Sequence, residues 1–117
     1  MMAAEIRLTD DAEYLLCVLY DAYRLRRKNG ESSFDSRFFG DSECIQEEYI
    51  PQWSTDDIDD TARELSRNGL VACLFANDTV AELALEREGI SLMEHRFGDK
   101  LDKLTQRIAS LRGILFG

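Results

Sequence analysis

Residues 70–86 narrow the choice of fold more than any other stretch. LVACLFA (70–76) and TVAELALE (79–86) are rich in β-branched, aromatic and aliphatic residues, and Asn77-Asp78 lies between them. Two such arms across a short polar connection predict a β-hairpin. In the second arm Ala81, Leu83 and Leu85 alternate with Val80, Glu82 and Ala84. That alternation turns Glu82 to water and Leu83 to the core. The connection is not Asn-Gly, so the turn type stays open. The other patterned stretches have a helical period, and the expected class is α+β.

Cap and stop signals divide the rest. A first helix over 10–29 begins at Thr9 or Asp10, with Asp10 and Glu13 at capping-box spacing. Ala12, Leu15, Leu16, Leu19, Ala22 and Tyr23 form its apolar face, while Tyr14, Val18 and Leu25 lie off that stripe. Arg24, Arg26, Arg27 and Lys28 fill the last turns, and Asn29-Gly30 stops the helix. Residues 31–41 read as a connection pinned to the core by Phe34, Phe38 and Phe39. A second helix over 42–50 is capped by Asp41 or Ser42 and ended by Pro51. Trp53 plugs the turn that follows. Ser54 caps a third helix over 55–68, with Ile58, Thr61, Ala62 and Leu65 buried and Asn68-Gly69 as its stop.

Beyond Glu86, Ile90, Met93, Phe97, Leu101, Leu104, Ile108, Leu111 and Leu115 recur every three or four residues. From Leu101 onward this is an a/d seam of coiled-coil type. Gly98 interrupts it. A break is expected there, with Asp99 capping a new helix.

The chain has 117 residues, 44% hydrophobic and 32% charged, which suits one domain with its own core. No apolar run approaches the ~18–20 residues of a membrane span. Residues 1–14 show no leader pattern. A cytoplasmic location without a membrane partner is expected. Cys17, Cys44 and Cys73 read as small hydrophobes in a reducing compartment, and with one histidine in the chain no metal or cofactor is expected. The net charge of -9 is unevenly spread: residues 31–88 hold fifteen acids and four bases. Such a block repels nucleic acid and anionic membrane.

The order helix, connection, helix, tight turn, helix, hairpin, helix resembles a winged-helix domain. DDIDDTARELSRNGLVACLF followed by TVAELALEREGISLMEHRF carries the likeness. Asn68-Gly69-Leu70-Val71 leads from the third helix into the first wing strand, and Arg87-Glu88-Gly89-Ile90 leads from the wing into a helix. The likeness covers about residues 9–97. The chain is similar to small stand-alone winged-helix proteins of bacteria and their phages, including the YjcQ-like group. The resemblance implies a winged helix of three helices plus a hairpin wing over residues 1–97. Residues 98–117 then form a C-terminal helix that packs on a second copy or on the first helix.

In a winged-helix DNA reader the third helix presents Arg, Lys, Asn or Gln to base edges. Here residues 55–68 carry five acids against two bases. Its outward residues Asp56, Asp59, Asp60, Arg63 and Arg67 instead suit a protein partner. Arg24, Arg26, Arg27 and Lys28 are candidate phosphate contacts. The seam Leu101, Leu104, Ile108, Leu111 and Leu115 is the expected homodimer interface, flanked by Lys100, Lys103, Arg107 and Arg112. Nucleotide-binding, nucleophile-elbow and zinc-protease motifs are absent from the sequence, and the Asp pairs lack calcium-loop spacing. His95, between Glu94 and Arg96, reads as a surface histidine. The expectation is a non-enzymatic regulatory or adaptor protein acting through protein contacts. The alternative is a DNA-binding transcription regulator that uses the two basic patches, and a small enzyme is a weaker third.

Overall fold

In the computed structural model, which describes residues 6–117, the chain is organised about α1 (Asp10–Lys28). Every residue from Tyr14 to Tyr20 is buried. A stretch enclosed on all sides marks a central helix, and α1 packs against helices from both halves of the chain. The expected apolar stripe is in place. Thr9 provides the cap: its side chain accepts the Ala12 N–H, so the Asp10–Glu13 capping box does not form. The expectation of no leader, read from residues 1–14, falls partly outside the described residues.

The connection 31–41 holds more structure than expected. It contains α2 (Ser33–Ser36) and β1 (Phe38–Gly40). Arg26 gathers this segment: its guanidinium donates to the carbonyls of Ser36 (3.3 Å) and Phe38 (2.6 Å) and lies 4.5 Å from the Phe39 ring centre. Then follow α3 (Ser42–Tyr49), capped by Asp41, and α4 (Thr55–Arg67), capped by Ser54. At the end of α4 the Leu70 N–H donates to Leu65 O and the Gly69 N–H to Ser66 O, with Leu65 and Leu70 both buried. This is a Schellman stop with its apolar contact.

The hairpin forms where expected, as β2 (Val71–Ala76) and β3 (Thr79–Leu85). Asn77 and Asp78 have φ of 54° and 60°, the left-handed pair of a type I′ turn. With β1 they make a three-stranded antiparallel sheet of order β1-β3-β2. The register passes from Leu74↔Glu82 to Phe75↔Val80, leaving Ala81 as a bulge. The bulge resets the alternation, so Val80 joins Leu83 and Leu85 in the core. Glu82 does not simply face water: its carboxylate accepts the N–H groups of Gly40 (2.7 Å) and Leu83 (3.2 Å).

Helix α5 (Arg87–Phe97) stops at Gly98, whose φ of 54° and ψ of -134° only glycine adopts readily. Helix α6 (Leu101–Phe116) then begins at Lys100, without a side-chain cap, rather than at Asp99. Among the described residues no helix is long and apolar enough to cross a membrane. The class is α+β, with six helices among the described residues.

The seam on α6 is largely used within the chain. Leu104 and Leu111, expected between two copies, are fully buried in the same core as α1. Ile108 and Leu115 are half-buried and Leu101 is exposed. The Arg107 guanidinium donates twice to the Glu13 carboxylate at 2.7 Å, and Arg112 Nε donates to the Tyr14 hydroxyl at 2.9 Å. Phe116 packs edge-on against Tyr14, and both rings lie near the buried Trp53. Within the chain, α6 packs on the first helix.

Candidate functional site

Helix α4 and the hairpin tip enclose a shallow cleft between them, lined by Asp56, Asp57, Asp60, Arg63 and Asp78 among others. The local sequence explains its sign. Asp56 and Asp57 occupy the first turn of α4, where acids favour the helix dipole. Asp60 follows on the exposed side, and the left-handed turn favours Asp at position 78. All four are exposed.

The other α4 residues are partly committed to structure. Asp59 is not outward: it is buried, and its Oδ1 accepts the Val80 N–H at 2.9 Å. That bond ties α4 to the hairpin. The Arg63 guanidinium lies 5.0 Å from the Phe75 ring centre and donates to the Asp78 carbonyl. Glu64 accepts from the Thr9 N–H (2.9 Å) and hydroxyl (2.8 Å), fastening α4 to the start of α1. Arg67 is exposed at the far end.

The candidate phosphate contacts do not act as a set of four. Arg26 is turned inward onto β1 and also donates to the Tyr49 hydroxyl at 3.1 Å. Arg24 donates to the Gly98 carbonyl at 3.2 Å, and Arg27 to the Glu31 carbonyl at 3.0 Å. Lys28 is exposed. Arg24 and Lys28 share a cleft with Leu25 and Leu101, which brings the basic end of α1 to the start of α6.

Burial pushes the Cys17 thiol up to about 12 and the Cys73 thiol up to about 11. The exposed Cys44 thiol is raised by its hydrogen bond to the Asp41 side chain. Nucleophilic cysteines need the opposite shift. Among the described residues no group of three or more His, Cys, Asp and Glu side chains is placed to hold a metal ion. No family model, no curated protein and no solved structure matches this chain.

Proposed function

We propose that this chain is a cytoplasmic, non-enzymatic regulatory or adaptor protein built as a winged helix, and that it works through protein contacts. In this reading α4 corresponds to the helix that would enter a major groove, and β2-β3 is the wing. The observation that carries the reading is charge. Asp56, Asp57, Asp60 and Asp78 are the exposed charged groups at the tip of α4 and the wing, while Arg63 is engaged with Phe75 and the Asp78 carbonyl. Duplex affinity comes largely from neutralised phosphates, and this face offers the same sign as phosphate. It suits a basic protein segment instead.

Fluorescence anisotropy tests the reading at physiological salt, with a labelled Lys/Arg-rich peptide and a labelled duplex as probes. The expected result is peptide binding that Asp56→Asn/Asp57→Asn/Asp60→Asn weakens by about tenfold, with weak and unselective duplex binding. Sub-micromolar, sequence-selective duplex binding would overturn it. One observation favours the DNA-binding alternative: Arg24 and Lys28 lie beside the start of α6, where Lys100 and Lys103 are exposed. If that alternative holds, Arg24→Ala/Lys28→Ala weakens duplex binding and flattens its salt dependence.

A further inference from the structure

Helix α6 covers α1 along only part of its length. Tyr14 and Val18 are buried, but Leu25 is 60% exposed and Leu101 is 49% exposed. These two leucines flank one cleft with Asp21 and Lys28. Large apolar side chains left open side by side mark contact surfaces. The surface continues along α1 into a neighbouring groove, where Ala22 and Leu25 meet Ile108 of α6.

Asp21, Leu25 and Lys28 stand at i, i+4 and i+7 of α1 and therefore share one stripe. Both charged members are exposed, and neither forms an ion pair among the described residues. The stripe runs acid, leucine, base, which makes it complementary to its own reverse.

We propose that this stripe is a homotypic contact, with a second copy of the chain laying its α1 antiparallel across this one about a two-fold axis at Leu25. Reversal places Lys28 of each copy opposite Asp21 of the other. Leu25 meets Leu25 on the axis, with Leu101 of both copies as shoulders. A two-fold contact uses the same patch on both sides and so requires this self-complementarity. Arg24 is tied to the α5–α6 junction by its bond to Gly98, which leaves the acid–base pairs to set the register. The contact is independent of the role proposed for α4.

Sedimentation equilibrium over a micromolar-to-millimolar series tests the proposal. The intact chain is expected to form a reversible dimer. Asp21→Lys and Lys28→Asp each bring like charges together and are expected to weaken it by about tenfold or more. The combined Asp21→Lys/Lys28→Asp chain restores opposite charges and returns to within about threefold of the original. Leu25→Glu is expected to abolish the dimer while the circular-dichroism spectrum and thermal midpoint stay unchanged. A chain that remains monomeric throughout, a dimer indifferent to Asp21→Lys, or a charge swap no tighter than its single parents would each overturn the proposal.

Discussion

Asp59 is an acid that serves the fold. It sits between Ile58 and Ala62 on the buried side of α4 and satisfies the Val80 N–H beside the bulge. Asp59→Ala strands that buried donor and is expected to cost about 1–3 kcal/mol. Asp59→Asn keeps an acceptor and costs less. Urea midpoints measure both. From the sequence Asp59 reads as an outward acid, because the amide that holds it inward lies in another element. Gly89 is a second such residue. A Cβ there would land against the Leu70 carbonyl oxygen, which already accepts the Glu86 N–H at 3.0 Å. Helix propensity alone favours alanine by about 1 kcal/mol. The clash outweighs it, and Gly89→Ala is expected to lower stability by about 1–3 kcal/mol, visible as a lower thermal midpoint.

At the scale of elements, Glu13–Arg107 couples α1 to α6. Its hydrogen bonds from Arg107 hold the Glu13 carboxyl below the usual glutamate range, and the same contact raises Arg107. A lowered folded-state value stabilises the fold above the unfolded value of 4.5, and the gain disappears as pH falls through the folded value. The Arg107 side chain is 38% exposed, so the pair contributes only about 1 kcal/mol at neutral pH. Glu13→Gln is therefore expected to lose less stability than the intact chain on acidification below 4.5, as thermal unfolding across that range would record. The elements legible in the sequence are those with local signals. Ser54 with Asp57, Asn68-Gly69, and the two arms around Asn77-Asp78 each act over a few residues, and all are where they were expected. Strand β1 was hidden because three residues become a strand only by pairing with β3. The acidic face of α4 was legible as composition. The inward turn of Arg26 was not, because the carbonyls it meets belong to a segment that read as an irregular connection.

On the scale of the whole molecule, α6 completes the core. Leu104→Ala and Leu111→Ala are each expected to destabilise the monomer by about 2–5 kcal/mol in urea unfolding. If they instead dissociated a dimer and left the unfolding midpoint unchanged, α6 would belong between copies. The enclosure of α1 also sets a schedule for biosynthesis. Tyr14 emerges from the ribosome early, whereas Leu104 and Phe116, which complete its surroundings, emerge late. Roughly 90 residues separate Tyr14 from Leu104, and synthesis adds ~5–20 residues per second. The central helix therefore waits, one flank bare, for on the order of five to twenty seconds on every translating ribosome. A nascent chain stalled before α6 would display that flank to chaperones and proteases for as long as it stays attached.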